Sequence, residues 1–313
     1  MSATLAPIKS KEDLLTGMEW NSGQLQDFYR LASDVKAHPD KYRKSLAGKV
    51  LVLIFEKPSL RTRVTFEVGI ANLGGSSIFL DHTFSRLNAR EPIRDIAKNL
   101  ERWVQGIVAR VFEQEALDEL ARNARIPVIN ALSDRFHPCQ VLADYFTLEE
   151  HFGGLRGLKL AYVGDGNNMC HSLLSIGARV GAHVRVATPA GYEPDEIVVA
   201  EARRVARETH GKIEILRSPE EAVAGVQAVY TDVWASMGQE NEAAAREKAF
   251  TGYQVNEKLF ALAAPDAVFL HCLPAHRGLE VTESVIDSPR SIIYDQAENR
   301  LHVQKAILHV LLA

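Results

Sequence analysis

Three cysteines in 313 residues, far apart and odd in number, do not suggest a disulfide framework; they are Cys139, Cys170 and Cys272. Charge of neither sign dominates. A net charge of −4 argues against a general nucleic-acid binder, so any local crowding of arginine reads as a site rather than a bulk property. No apolar run approaches the roughly 20 residues needed to span a bilayer. The first eleven residues lack the apolar core of a secretory signal, and a cytoplasmic location is the expectation. Internal repeats and low-complexity tracts are also missing. What remains is ordinary: 46% hydrophobic and 24% charged residues, in a chain long enough for two domains with sizeable cores.

Continuous apolar runs alternate with helix-like stretches. Strands are expected at residues 49–55, 107–111, 127–129, 159–163, 183–187, 212–216, 228–231, 267–271 and 291–294. A helical stripe formed by Ile93, Ile96, Ala97, Leu100 and Val104 lies between two of them. This alternation predicts an α/β protein with two domains, each a parallel sheet flanked by helices. The clearest break is His151-Phe-Gly-Gly-Leu-Arg-Gly157, after a helix from about residue 138 to 150. The domains are therefore expected at 1–150 and 151–295. A final helical stretch, 296–313, fits either domain by pattern alone.

Ligands of such sheets gather at the carboxyl ends of the strands. Distinctive polar residues fall there in this chain. Ser59, Leu60, Arg61, Thr62 and Arg63 follow the first strand, at the start of a helix whose stripe is Leu60, Val64, Val68 and Ala71. Arg110 ends another strand. His137-Pro-Cys-Gln140, Asp165-Gly-Asn-Asn168, Asp232 with Ser236-Met-Gly238, and His271-Cys-Leu-Pro274 follow others.

Each cluster has a plain reading beside a functional one. Residues 59–63 are either an exposed helix cap with solvated arginines or a phosphate cradle of backbone N–H groups and guanidinium forks. Arg61 is the favoured ligand, with Arg63 in support. Arg110 either reaches solvent from a strand end or adds a second guanidinium for the same anion. His137 stands before a proline suited to a first helical turn, and with Gln140 one turn on it can hold a carbonyl oxygen and an NH2 group. The turn Gly164-Asp-Gly-Asn-Asn168 lacks the third glycine of a dinucleotide fingerprint, since Met169 holds that position, and no acidic residue closes the next strand. No nicotinamide or other cofactor is expected, and Asn168 reads as a ligand for a small polar group. Cysteine–histidine neighbours occur, but their spacing matches no zinc module, so no metal is expected.

These motifs resemble the carbamoyltransferase family and, within it, the ornithine carbamoyltransferases. The family's Ser-Thr-Arg-Thr-Arg motif matches residues 59–63 except that Leu60 replaces the first threonine. Its His-Pro-x-Gln motif is His137-Pro-Cys-Gln140. The ornithine-type motifs Asp-x-Trp-x-Ser-Met-Gly and His-Cys-Leu-Pro match residues 232–238 and 271–274. The resemblance runs from about Gly48 to the C-terminus.

It implies transfer of the carbamoyl group of carbamoyl phosphate to the side-chain amine of L-ornithine, giving citrulline and phosphate, with arginine synthesis the commoner setting. Ser59, Arg61, Thr62 and Arg110 would hold the phosphate, the backbone of Leu60 retaining its place in the cradle. Thr62, Arg110 and His137 would polarise the carbonyl oxygen. Gln140 and the carbonyl of Leu273 would hold the carbamoyl NH2. Asn168, Asp232, Ser236 and Met237 would bind the amino-acid end of ornithine, with its attacking amine near Cys272. Arg300 would support the site.

The resemblance further implies interdomain helices, a 296–313 helix returning to the first domain, a loop at 234–239 closing over ornithine, and a homotrimer with sites at subunit interfaces. Two departures stand out. Leu60, on a stripe with Val64 and Val68, is expected to have joined the core, altering carbamoyl phosphate binding. Arg86 stands near where the family places a glutamine that reaches a neighbouring subunit's phosphate site. Rival readings are a modified ornithine or diamine as acceptor, which the intact 232–238 motif opposes, and an inactive paralogue, which the presence of Arg61, Arg110, His137 and Cys272 opposes.

Overall fold

The computed structural model describes residues 11–82, 86–235 and 240–313. Among the described residues, nine strands form two parallel sheets. In the first, β1 (Val50–Phe55), β2 (Ser76–Asp81), β3 (Gly106–Arg110) and β4 (Val128–Leu132) take the order β2-β1-β3-β4. In the second, β5 (Lys159–Val163), β6 (His183–Ala187), β7 (Lys212–Leu216), β8 (Ala228–Thr231) and β9 (Val268–His271) take the order β7-β6-β5-β8-β9. The interior strands are apolar because helices cover both of their faces: Leu51 to Phe55 are essentially inaccessible, as are Leu160 to Val163.

The chain forms two compact units. The first comprises residues 11–19, 30–134 and 301–313 of the described chain, and the second residues 20–29 and 135–300. The helix Pro138–Phe152 thus packs with the second sheet, carrying His137 and Gln140 with it. The last helix, Ile293–Leu312, contributes its residues from Leu301 on to the first unit.

Two expectations about strands fail. β2 was not foreseen: its sequence Ser-Ser-Ile-Phe-Leu-Asp is half exposed along an edge and its apolar run, Ile78-Phe-Leu80, is only three residues long. The expected strand at 291–294 is instead a single bridge, Ser291 to Phe269, followed by helix from Ile293. Two β-prone residues, Ile293 and Tyr294, are absorbed into a helix start, where tertiary context overrides propensity.

Leu60 has not joined the core. The helix Leu60–Asn72 buries Thr62, Phe66, Gly69 and Ile70, while Leu60 is 75% exposed and Val64 and Val68 are exposed beside it. Periodicity marks an apolar stripe but does not say which face meets the sheet. Here the inward face is built from one aromatic, one aliphatic and two small residues.

Each sheet reverses its strand order once, between β1 and β3 in the first and between β5 and β8 in the second. Such switch points open a crevice at the carboxyl ends of the strands. Phe55 is in register with Arg110 across the first, and Val163 with Thr231 across the second.

Candidate active site

Cations crowd the switch point of the first unit. Ser59 caps the helix Leu60–Asn72, its Oγ accepting from the Thr62 N–H at 3.3 Å. Capping and anion binding use the same turn, since the cap satisfies only one of the free N–H groups there. Thr62 is fully buried and Arg61 half-buried. Arg63 is engaged on its own side of the helix, 3.0 Å from Glu67 and stacked 3.6 Å over the Phe79 ring. Arg110 is buried rather than reaching solvent.

Lys57, which the sequence reading did not single out, is also buried, with its ammonium over the Phe112 ring. Burial first, and then the charges of Arg110 and Arg86, lower its pKa. Arg86 lies over the same Phe112 ring at 3.9 Å, with Glu113 and Glu56 at 3.6 and 3.9 Å. Glu56 is buried and accepts from the N–H groups of Leu87 and Phe112, which ties the two loops beside the cluster together.

The second unit places its polar clusters on the neighbouring strands β5, β8 and β9. Asp232 follows β8 and is buried. Its Oδ2 accepts from Asn167 Nδ2 at 3.0 Å, and its Oδ1 from the Val233 N–H at 2.8 Å and from Cys272 Sγ at 3.1 Å. That last bond uses the thiol proton, so Cys272 stands as a donor to a carboxylate and not as an activated nucleophile. Asn167 also caps the helix Asn168–Val180, leaving Asn168, the first helical residue, half-buried at the helix start. Ser236 and Met237 lie outside the described residues.

The ligand atoms of Asp232, His271 and Cys272 come within 4.8 Å of one another. His271 nevertheless has both ring nitrogens engaged: Nδ1 accepts from the Leu273 N–H at 2.9 Å, and Nε2 faces Glu280 at 3.3 Å. This holds Leu273 at φ 57°, a left-handed backbone that a leucine adopts only where its surroundings impose it.

Glycine in the turn after β5 has a local explanation. A Cβ on Gly166 would lie 2.2 Å from the Pro194 nitrogen, so the chain's own backbone fills the approach that a dinucleotide phosphate would need. Asp165 beside it binds Arg246 Nη1 at 2.7 Å, and the same Nη1 donates to the Trp234 carbonyl at 3.0 Å. Burial pushes the Asp165 carboxyl up to about 6 despite the Arg246 charge. Arg246 lies over the Tyr192 ring, and Trp234 stacks on Phe250.

His137 and Gln140 begin the helix Pro138–Phe152, and both are buried. The His137 N–H donates to Ser172 Oγ at 2.8 Å. Gln140 Nε2 donates to Asp144 Oδ1 at 2.8 Å, while its Oε1 is buried with no hydrogen-bond partner among the described residues. Arg300 is buried on the last helix and exerts its charge on Asp144. Lys57, Asp144, Asn167, Arg246 and Glu280 were missed by the motif search. The signal for Asp144 was present, as the one acid among the apolar residues of Val141-Leu-Ala-Asp-Tyr-Phe146, one turn after Gln140.

Two family models match nearly the whole chain. The carbamoyl-P binding domain of aspartate/ornithine carbamoyltransferase matches residues 12–150, and the Asp/Orn binding domain of the same family matches residues 156–311. The chain is 53% identical over 302 residues to an ornithine carbamoyltransferase of Thermus thermophilus, covering 96% of this chain and 97% of that protein. It is 54% identical over 268 residues to an anabolic ornithine carbamoyltransferase of Pyrococcus furiosus, covering 86% and 85%. The solved ornithine carbamoyltransferase of Pyrococcus furiosus superposes with a TM-score of 0.94 at 48% identity, covering 98% of this chain and 99% of that one. Two domain matches in tandem and relatives at this identity over nearly full length lead to one conclusion: the chain belongs to the aspartate/ornithine carbamoyltransferase family.

Proposed function

We propose that this protein transfers the carbamoyl group of carbamoyl phosphate to the side-chain amine of L-ornithine, giving L-citrulline and phosphate, in the direction of arginine synthesis. The observation that carries the reading is the second-unit constellation at the ends of β5, β8 and β9: Asn167 and Cys272 both donating to the Asp232 carboxylate, beside Asn168. A fixed carboxylate there suits an ammonium group of an amino acid, and Asn168 its polar end.

In this reading Ser59, the Leu60 backbone, Arg61, Thr62 and Arg110 hold the phosphate. Thr62, Arg110 and His137 stabilise negative charge on the carbonyl oxygen. Gln140 Oε1 and the Leu273 carbonyl accept from the carbamoyl NH2, and Arg300 supports them. Asn168, Asp232, Ser236 and Met237 take the amino-acid end of ornithine. Its neutral amine attacks beside Cys272. The C–N bond forms as the C–O bond to phosphate breaks, and the leaving phosphate takes the electron pair and then the proton that the amine gives up. The chain's contribution is orientation and charge stabilisation, without a covalent intermediate.

We assign residues 1–150 to carbamoyl phosphate, 151–295 to ornithine and 296–313 to a helix completing the first domain. The extents of the two family models and the packing of Leu301 to Ala313 in the first unit support this division. We further propose a cytoplasmic homotrimer. No helix among the described residues is long and apolar enough to cross a membrane. The exposed apolar stripe Leu60, Val64 and Val68, with Ile78 on the edge strand β2, supports assembly through that face, where Arg86 would reach a neighbour's anion.

Formation of a ureido product from carbamoyl phosphate with ornithine, putrescine or N-acetylornithine, which is citrulline only in the first case, tests the reaction. Product with ornithine alone is expected. Product only with another acceptor would replace ornithine in this reading, and no product with any acceptor would overturn the activity itself.

A further inference from the structure

A carboxylate at the centre of the second unit is the starting point. Asp144 is fully inaccessible and meets three donors. Its Oδ1 accepts from Gln140 Nε2 at 2.8 Å and from Gln296 Nε2 at 2.7 Å, and its Oδ2 accepts from the Tyr230 hydroxyl at 3.0 Å. An ionised carboxylate only accepts, so the atom that each glutamine turns toward it must be the NH2. Both amides are therefore fixed in one orientation by chemistry.

The consequences run to two places. Gln140 has spent its NH2 inside the protein, and its buried carbonyl oxygen has no partner among the described residues. Gln296, turned the same way, offers its own carbonyl oxygen to the His271 N–H at 3.0 Å. His271 in turn receives the Leu273 N–H on Nδ1. One carboxylate thus orients Gln140 and, through Gln296 and His271, anchors the backbone of Leu273.

We propose that Asp144 is a positioning residue for donor specificity: it commits the Gln140 carbonyl oxygen, and with it the Leu273 backbone, to accepting from an NH2 group on the acyl phosphate. This inference rests on the reading that Gln140 and Leu273 receive the carbamoyl NH2. A carbamoyl group satisfies both acceptors, of which Gln140 Oε1 is buried. An acetyl group, with methyl in place of NH2, leaves both unpaired on the same phosphate. Discrimination between the two acyl phosphates then follows from the cost of burying unpaired acceptors.

Asp144→Asn tests this because an amide has one accepting edge and one donating edge. If the donating edge faces Tyr230, the tyrosine hydrogen loses its acceptor. If it faces the two glutamines, both must turn over, and Gln140 then presents NH2 to NH2. Acetyl phosphate, having no NH2, is indifferent to that reversal. The variant is measured at pH 8, with its melting temperature checked first.

The readout is the ratio of the inhibition constant of acetyl phosphate to the KM of carbamoyl phosphate. In Asp144→Asn this ratio should fall about tenfold, the size of one hydrogen bond, chiefly through KM with kcat changing less. A folded Asp144→Asn with the parent's ratio has its donating edge toward Tyr230, and Asp144→Leu, which frees Gln140 to turn, then decides: a parent-like ratio in that variant overturns the inference. Gln140→Leu separates the two levels of the argument. If its ratio is unchanged, the NH2 site itself is wrong and the inference falls with it. If its ratio drops while that of Asp144→Leu does not, only the role of Asp144 fails. Should Asp144→Asn not fold, Gln296→Leu decides: it keeps Gln140 on Asp144 but releases the His271 N–H, and the ratio should fall about threefold. A parent-like ratio there overturns the inference.

Discussion

Leu60 carries a sequence-level prediction that the structure sharpens. It is the first residue of its helix and three-quarters exposed, so its replacement removes no core contact. Leu60→Thr is expected to leave the melting temperature unchanged and to lower the KM for carbamoyl phosphate severalfold by restoring a hydroxyl beside Ser59 and Thr62; an unchanged KM would show that the leucine is neutral there. Asp144 behaves in the opposite way, because its environment is wholly internal. Burial raises its carboxyl from 3.8 to about 6 against the pull of three hydrogen bonds and Arg300. A raised acid pKa means that the charged form costs stability in the fold. The native state binds more protons than the unfolded chain between pH 3.8 and about 6, so this group's contribution is lost as pH rises through that window. The cost at pH 8 is about 3 kcal/mol, at 1.36 kcal/mol per pKa unit. The stability of Asp144→Asn relative to the parent should therefore rise between pH 4 and pH 8, whatever the constant cost of its altered hydrogen bonds. A difference in melting temperature that is the same at both pH values would place the titration elsewhere.

At the scale of elements, the acceptor side depends on how the chain leaves β8. Trp234 lies in the described part of that loop, and its carbonyl is held by Arg246, which is held in turn by Asp165 after β5. The guanidinium therefore links two strand ends across the second switch point. Arg246→Met keeps the packing volume against Tyr192 but removes both bonds. It should raise the KM for ornithine about tenfold, as expected for losing charge-assisted bonds that place the loop, and leave the KM for carbamoyl phosphate within about twofold. Steady-state kinetics varying each substrate in turn would check this, and a rise in the carbamoyl phosphate KM alone would contradict it. The motif search missed Arg246 because it lies fourteen positions beyond Asp232 on a short helix, with nothing local to mark it. Asp165 stands in a turn whose sequence already departs from the dinucleotide fingerprint at Met169, and the backbone at 192–194 lies against Gly166.

At the scale of the whole molecule, the helix Leu60–Asn72 presents one face to its sheet and an apolar stripe to the outside. Such a stripe, next to an exposed Ile78 on an edge strand, is a candidate contact face for another chain. If the proposed homotrimer forms through this face, Val64→Arg combined with Val68→Arg should convert it to monomer in light scattering after size exclusion, with the folded circular dichroism spectrum kept. A trimer that persists would remove this face from the interface.

The sequence by itself determined the α/β class, eight of the nine strand positions to within a few residues, and the motifs that place the family. Apolar runs and polar strand ends are local patterns, and a parallel sheet covered on both sides leaves them plainly in the chain. Only the tertiary structure decided the rest. It turned Leu60 outward, made a strand of the half-exposed Ser76–Asp81, and drew Ile293 into a helix, because burial depends on which face finds a neighbour. It also brought Gln140, Asp144, Tyr230 and Gln296 together across up to 156 positions of sequence, since the orientation of a buried amide is set by the groups that surround it in space.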